Sequence, residues 1–168
     1  MSGRELRARS SWPKKSFQER LASLVNNAVV ATGATASVLT VNGISAADVS
    51  VEAFVNPAVS DNNAGIVARY SGPGDQNMYL GTLVRSSAGV TGQIWKNVNG
   101  VWSRVGISGI AASSGTLRFD VLGSSLTLSL NGTAIVSAQD SSITTAGAVG
   151  VRSNQTGSSI DSFSISPL

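Results

Sequence analysis

Hydrophobic and polar residues alternate most clearly in the segments 117–121 and 126–130. Leu, Phe or Val occupies every second position of the first segment, and Leu occupies every second position of the other. Since side chains of a strand point alternately to its two faces, each segment predicts a strand with one apolar face. Turn residues follow at 123–125 and 131–132, where Gly and Asn supply the positive φ that short hairpins need. This stretch therefore predicts an antiparallel sheet with one face on a core.

Similar short segments, bounded by Gly, Pro, Asn and Asp, fill the chain from residue 25 onward. Roughly 11 to 13 strands are expected, and their regular spacing favours a sandwich or jelly roll over alternating strands and helices. Besides the two segments above, the predicted strands are 28–32, 37–41, 48–55, 65–70, 78–85, 92–96, 101–105, 149–152 and 160–165. The fold class predicted is thus all-β, a two-sheet antiparallel sandwich.

The first 24 residues differ from this pattern and from the charge balance of the remainder. They contain half of the 12 Arg and Lys residues but only two of the nine acidic ones, so the rest of the chain is nearly neutral. We divide the chain into a basic N-terminal arm, 1–24, and a domain, 25–168. The arm is either a solvated tail or an anchoring arm, and five of its six basic residues are the candidate anchors: Arg4, Arg7, Arg9, Lys14 and Lys15.

The end of the arm has its own pattern. Apolar residues at positions 17, 21 and 24, with Ser16 as N-cap and Glu19 three residues later, predict a short amphipathic helix. The alternative is an edge strand that begins at Ser16 and Phe17. The basic start is not followed by an apolar segment, so no classical signal peptide is expected, and no stretch approaches the length of a membrane span.

Composition narrows the chemistry. Only 12% of residues are charged while 42% are hydrophobic, so Ser, Thr, Asn and Gly must form much of the surface, which is typical of extracellular, cell-surface and virion-surface β proteins. The chain has no Cys and no His. Disulfides, thiolate metal sites and histidine bases are therefore excluded.

Several motifs in order along residues 27–168 resemble the laminin-G-like, concanavalin A-like jelly rolls of bacterial surface proteins and phage structural proteins. They are Gly65–Tyr70, Met78–Leu80, Ile94–Lys96, Asn99–Trp102, Leu117–Gly123, Leu126–Gly132, Gly147–Val151 and Ile160–Phe163. The resemblance implies a two-sheet jelly roll whose C-terminal strand pairs with an N-terminal one. Family members open with an Asp-x-Phe strand that this chain lacks, so its first strand is missing, replaced or supplied by a neighbouring chain.

Aromatic residues are the candidate ligand contacts. A hairpin that turns at 97–100 would place Trp95 opposite Trp102, either as a packing pair or as a platform for a sugar ring. A second group surrounds the Gly72–Asn77 loop: Tyr70 and Tyr79 flank it, and Asp75, Gln76 and Asn77 lie in it. These residues either line a groove whose polar side chains bind hydroxyl groups or form an ordinary exposed turn, which has the same composition.

Catalysis is not expected. Glycoside hydrolysis needs two carboxylates in one cleft, and the Glu-x-Asp-x-x-Glu run of concanavalin-like glucanases is absent. Asp48 and Glu52 share a strand face but would lie roughly 13 Å apart. Arg69, between apolar neighbours in a strand, is expected to pair with a carboxylate or to stack on an aromatic ring.

No cofactor is required, but the resemblance implies one metal candidate. Related jelly rolls often hold a structural Ca²⁺ with a carboxylate at a strand start, and carboxylates and backbone carbonyls suit that ion. Asp161 would be the principal ligand, with Asp140 or Asp61 as a companion. The alternative is that backbone hydrogen bonds satisfy Asp161.

Two functions remain. The first is a non-catalytic, lectin-like module that binds a glycan or another surface at the exterior of a cell or particle. The second is a structural or decoration protein of a virion or other assembly, with the basic arm as the anchor of a homo-oligomer or larger assembly. Sequence-specific nucleic-acid binding is not expected, because Trp12 and Phe17 are the only aromatic residues among the basic residues of the arm.

Overall fold

All the secondary structure described is β-strand, in two antiparallel sheets that pack face to face. The structure is a computed structural model, and it describes residues 22–25, 28–31, 36–58, 60–110, 112–154 and 156–168. No helix in this part of the chain is long and apolar enough to cross a membrane. The predicted all-β sandwich is confirmed.

One sheet has seven strands. In spatial order they are β1 (Ala22–Val25), β2 (Ala28–Ala31), β13 (Ser159–Pro167), β4 (Val49–Asn56), β9 (Gly115–Leu122), β10 (Ser125–Leu130) and β11 (Thr133–Gln139). The C-terminal strand β13 lies between β2 and β4, with Ile160 paired to Val29 on one side and to Val55 on the other. The predicted pairing of a C-terminal strand with an N-terminal one is therefore confirmed.

The other sheet has six strands. In spatial order they are β3 (Ser37–Thr40), β12 (Ala148–Ser153), β5 (Asn63–Tyr70), β6 (Met78–Ser86), β7 (Gly89–Val98) and β8 (Val101–Ile110). Strands β5 to β8 follow one another as antiparallel neighbours, while β12 joins the sheet from the far end of the sequence.

The main core lies between the sheets, as the alternation in 117–121 and 126–130 predicts. Leu117, Phe119 and Val121 of β9 are fully buried, and Leu126 and Leu128 of β10 are buried beside them. The six-stranded sheet faces them with Ile66, Tyr79, Leu83 and Ile94. This burial of large apolar side chains is the principal force that holds the two sheets together.

The turn at Asn131-Gly132 is confirmed as a two-residue connection. Both residues have positive φ, 50° and 81°, and Leu130 pairs directly with Thr133. The β7–β8 hairpin was placed too broadly at 97–100, because its loop is only Asn99-Gly100, with φ of 52° and 84°. Asn and Gly are the residues that a two-residue hairpin turn prefers.

The short helix predicted at the end of the arm is wrong for its described residues. Residues 22–25 form strand β1, paired to β2 with Ala22 opposite Ala31. A short amphipathic helix gains little by itself, and pairing with a sheet satisfies the backbone equally well. The earlier part of that helix, 16–21, lies outside the described residues. Strand β13 is paired to β2 through Ser159 and Ile160, so its edge is covered at these positions.

Arg69, at the end of β5, holds three loops together from inside the protein. It is only 2% exposed, lies 3.4 Å from Asp48 Oδ1 and has its guanidinium 5.9 Å from the centre of the Tyr79 ring. Arg69 therefore both pairs with a carboxylate and lies against an aromatic ring, the two alternatives predicted for it. Its N–H groups also donate to the carbonyl oxygens of Ala47, Gly123 and Ile143. Such complete hydrogen bonding is what allows a guanidinium to be buried.

The two sheets approach closely at Gly81 of β6. A Cβ atom on this residue would lie 2.7 Å from Leu128 Cδ1 and 2.8 Å from Phe119 Cγ, so even a methyl group requires core side chains to move. Gly81 lies between Leu80 and Thr82, whose side chains point to the opposite face of the sheet. The close approach therefore fixes the strand that carries the pocket described below.

We expect Gly81→Ala to lower the free energy of unfolding by about 1–3 kcal/mol, because inserting a methyl group into a packed core forces strain. Gly109→Ala is the matched control, since no atom lies within 4 Å of a Cβ there. It should change stability by less than about 0.5 kcal/mol. Urea unfolding of both variants measures the difference, and equal losses would contradict the close approach.

Candidate functional site

A second, smaller apolar cluster lies on the outer face of the six-stranded sheet. Val67, Met78 and Leu80 are at most 3% exposed, although they point away from the main core. Four partly buried side chains pack against them: Val38, Tyr70, Trp95 and Trp102. The outer face of such a sheet is ordinarily polar and solvated, whereas this face carries a buried apolar cluster.

A pocket of about 250 Å³ opens on this face. Its lining, here called the Trp–Arg pocket, consists of Asn63, Leu80, Thr82, Trp95, Trp102 and Arg152. The two indole rings meet edge to face, with centroids 6.5 Å apart and planes at 79°. The two rings thus form two walls of a corner. Leu80 and the buried Thr82 belong to β6, which lies between β5 and β7, and they line the pocket beside the rings.

The tryptophans are not directly opposite each other, which corrects the register predicted for this hairpin. Trp95 pairs with Arg104, and Trp102 pairs with Asn97. The two-residue turn shifts the pairing by two positions, and a bulge between Ile94 and Trp95 changes it further along the strands. The rings remain on one face as diagonal neighbours, which lie within reach of large aromatic side chains.

Arg152 of β12 forms the polar wall of the pocket. Its Nε and Nη2 atoms donate to the two carboxylate oxygens of Asp75, both at 2.7 Å, and Nη1 donates to Asn63 Oδ1 at 3.1 Å. The guanidinium also lies 4.9 Å from the centre of the Trp102 ring. Since Arg152 is only 8% exposed, this bidentate pair and the ring together fix its orientation.

Trp95 is oriented by its own set of contacts. Its Nε1 donates to Gln93 Oε1 at 2.7 Å, while Gln93 Nε2 donates to Thr91 Oγ1 at 2.8 Å. The guanidinium of exposed Arg104 lies 5.7 Å from the centre of the ring. Each indole of the pocket therefore has an arginine beside it.

The loop between β5 and β6 supplies Asp75 and is internally braced. Tyr70 Oη donates to the carbonyl oxygen of Gly74 at 2.7 Å, and Asn77 Nδ2 donates to that of Gly72 at 2.8 Å. Asn77 Oδ1 accepts from the backbone N–H of Asn99. The predicted groove partners Tyr70 and Asn77 thus stabilise the loop and do not line the pocket, whereas Asp75 acts on the pocket through Arg152.

Tyr79 is wrongly predicted as a groove residue. Its side chain is 0% exposed and points into the main core, because it alternates with Met78 and Leu80 on the outer face. Tyr79 Oη donates to Asp140 Oδ1 at 2.6 Å and accepts from the N–H of Ile143. Burial, followed by the hydrogen bond to Asp140, raises the pKa of Tyr79 to about 12.

Asp140 lies just beyond β11 and forms an ion pair with Lys96, whose Nζ donates to its Oδ2. Burial alone would raise the pKa of this carboxyl group. Hydrogen bonds from Lys96, Tyr79 and Ser142 outweigh that effect and lower the pKa to about 2. The group is therefore a charged structural contact that joins β6, β7 and the end of β11.

The two calcium candidates, Asp161 and Asp140, are not neighbours in the structure, and a calcium ion at either of them stays a prediction. Three strands, β4, β9 and β10, separate β13 from β11 in the sheet. At about 4.8 Å per strand, this places the two carboxylates on the order of 19 Å apart. Asp161 Oδ1 accepts from the N–H of Ser162, and no group of three or more Asp and Glu residues within the described ranges is placed to hold a metal ion.

The sequence prediction missed four of the six pocket residues, namely Asn63, Leu80, Thr82 and Arg152. Each occupies an alternate position of its strand, so a strict period of two would have assigned it to the outer face. Nothing in the sequence, however, indicates that β12 lies beside β5 and brings Arg152 near residues 63 and 75. The arm residues Arg4, Arg7, Arg9, Lys14 and Lys15 lie outside the described residues, and their anchoring role stays a prediction.

No protein-family model matches the chain, and no curated protein sequence is similar to it. Solved structures do match its fold. The carbohydrate-binding module CBM66 from Bacillus subtilis aligns with a TM-score of 0.70 at 15% identity, over 82% of this chain and 85% of that one. A protein of unknown function with a galectin-like fold, also from Bacillus subtilis, aligns at 0.64 and 10% identity over 88% and 86% of the two chains.

A third match is a GH43 protein from Bacillus licheniformis, with a TM-score of 0.61 and 16% identity. It covers 92% of this chain, whereas this chain spans only 36% of that protein. Identities this low establish architecture alone. The chain has a galectin-like β-sandwich fold. The narrower laminin-G resemblance is not shown by these matches and stays a prediction.

We expect the ion pair of Asp140 to make the free energy of unfolding depend on pH in the acid range. Its folded pKa of about 2 lies below the reference value of 3.8, so its contribution is present above about pH 4 and is lost as the pH falls through 2. Asp140→Asn should cost about 1–3 kcal/mol at neutral pH and should lose less stability than the parent between these pH values. Urea unfolding at pH 7 and in the acid range measures both effects.

Asp120→Asn is the control, because Asp120 pairs with Arg118 on the surface of the other sheet. It should leave the acid dependence of unfolding as it is in the parent. If Asp140→Asn and the parent lost stability in parallel as the pH fell, the assigned role of this carboxylate would be wrong.

Proposed function

We propose that the protein is a non-catalytic carbohydrate-binding module whose ligand site is the Trp–Arg pocket. One observation carries the proposal: a single small cavity contains two indole rings that meet at a corner, the guanidinium of Arg152 in a fixed orientation and the side-chain amide of Asn63. Sites for small organic ligands combine an apolar lining with a few well-placed polar groups. The structural matches include a carbohydrate-binding module and a galectin-like protein, which supports this choice among the functions that such a fold hosts.

A sugar ring has the two kinds of surface that this pocket offers. Its C–H groups suit the electron-rich faces of Trp95 and Trp102 and the side chain of Leu80. Its hydroxyl groups suit the remaining N–H groups of Arg152 and the amide of Asn63. At about 250 Å³, the cavity is smaller than most drug-sized sites, which span roughly 300–1,000 Å³. The ligand is therefore one sugar unit, either free or at the end of a chain.

None of the lining residues that the structure describes is a carboxylate, which supports binding without catalysis. Glycosidases use two carboxyl groups on either side of the scissile bond. Asp75, the nearest acidic residue by hydrogen bonding, has both oxygens bonded to Arg152. On this proposal the protein works at the exterior of a cell or particle, where glycans are displayed, and its partner is the glycan itself.

Trp102→Ala should weaken glycan binding at least tenfold, since loss of an aromatic residue at the centre of a site costs about 2 kcal/mol or more. A glycan array with neutral and acidic sugars, probed with the full chain, first selects a ligand. Isothermal titration of the selected glycan against the parent and the variant then measures the loss. Circular dichroism verifies that both proteins are folded.

Phe54→Ala is a matched control, because Phe54 is a 40% exposed aromatic residue on the seven-stranded sheet. It should bind the selected glycan as the parent does. A blank array from folded parent protein, or equal affinities of the parent and Trp102→Ala, would overturn the proposed site.

A further inference from the structure

The Trp–Arg pocket is rich in hydrogen-bond donors and poor in acceptors. A guanidinium has five N–H groups, and Arg152 uses three of them on Asp75 and Asn63, which leaves two. Among the described residues, neither the Nδ2 amide of Asn63 nor the Nε1 of Trp102 has an acceptor. These groups are free to donate to a ligand.

Among the described lining residues, only Asn63 and Thr82 carry side-chain acceptor atoms, and each of these oxygens already takes part in a hydrogen bond. Asn63 Oδ1 accepts from Arg152, and the hydroxyl group of Thr82, buried at the pocket floor, donates to the carbonyl oxygen of Ala64. Gln93 Oε1, next to the pocket, accepts from Trp95. A neutral hydroxyl group both donates and accepts, whereas a carboxylate only accepts. The unsatisfied groups therefore match a carboxylate better than they match further hydroxyl groups.

Charge favours the same ligand. Arg152 is balanced by Asp75, but Arg104 makes no ion pair with any residue of the described ranges. Arg104 is not one of the lining residues, but it pairs with Trp95 across the β7–β8 hairpin, and its exposed guanidinium lies 5.7 Å from the centre of that ring, beside the pocket. No Asp or Glu of the described ranges lines the pocket to oppose it. A guanidinium pairs with a carboxylate through two parallel hydrogen bonds, which is the strongest simple contact it can make.

We infer that the pocket prefers a sugar unit that carries a carboxylate, a hexuronate, with the ring packed in the corner against Trp95 and Trp102 and the carboxylate reaching Arg104 beside Trp95. This inference rests on the proposed carbohydrate-binding function and names its ligand class. Arg104 is then the residue that selects acidic over neutral sugars, while Arg152, already neutralised by Asp75, positions the ring.

The test compares matched sugars that differ only at one carbon. Galacturonate and galactose form one pair, and glucuronate and glucose the other, each titrated into the full chain by NMR at low salt. We expect the better-bound acid to exceed its neutral partner about tenfold in affinity, the usual advantage of a charge-assisted hydrogen bond. Added salt should narrow the difference, because the pair is near the surface.

Arg104→Gln keeps hydrogen-bonding groups and removes the charge, and it should reduce the ratio of acid to neutral affinity to about one. Arg118→Gln is the control, since Arg118 is an exposed arginine on the other sheet that pairs with Asp120. It should retain the full ratio.

The outcomes separate this inference from the proposed function. Equal affinity of the parent for acid and neutral sugars would overturn the inference while carbohydrate binding stands. A preference that survives Arg104→Gln would overturn the role of Arg104. Binding of no sugar of either kind, to folded protein, would overturn the proposed function and the inference together.

Discussion

The candidate site depends on the bidentate ion pair between Arg152 and Asp75. Arg152 belongs to a strand from the end of the chain, and Asp75 to a loop some eighty positions earlier, so their pairing fixes where that loop lies over the sheet. It also neutralises a guanidinium that is 8% exposed and lies against Trp102. Without the carboxylate, a charge this deeply buried would be costly. The position of the loop, its attachment to strand β12 and one wall of the pocket thus all depend on this one ion pair.

Arg69 shows the same chemistry used for a different purpose. Its guanidinium is buried too, but its partners are mainly backbone carbonyls of three loops, and its aromatic neighbour is Tyr79 on the core side. No lining residue of the pocket is among them. The two buried arginines therefore differ in what remains available: Arg69 is enclosed by its own loops, whereas Arg152 borders an open cavity and keeps donors free.

Much of the fold follows from local patterns in the sequence. The alternation in β9 and β10 and the Asn131-Gly132 turn predicted strands and a connection that the structure contains, because each depends only on neighbouring residues. Tyr79 and Arg152 were misassigned or missed because their surroundings depend on strand order and on the face each strand presents. The contact of Trp95 with Trp102 was predicted, but as a directly opposite pair, because the turn was placed at 97–100 and the structure has it at Asn99-Gly100.

Chemical-shift mapping tests the central claim most directly. Galactose and galacturonate, titrated separately into isotopically labelled protein of residues 1–168, should shift the indole N–H signals of Trp95 and Trp102 and the amide signals of Asn63 and Arg152. The backbone signals around Phe54 and Arg118, on the other sheet, should not move. Shifts confined to that second sheet, or the absence of shifts with any sugar that the array selects, would contradict the account.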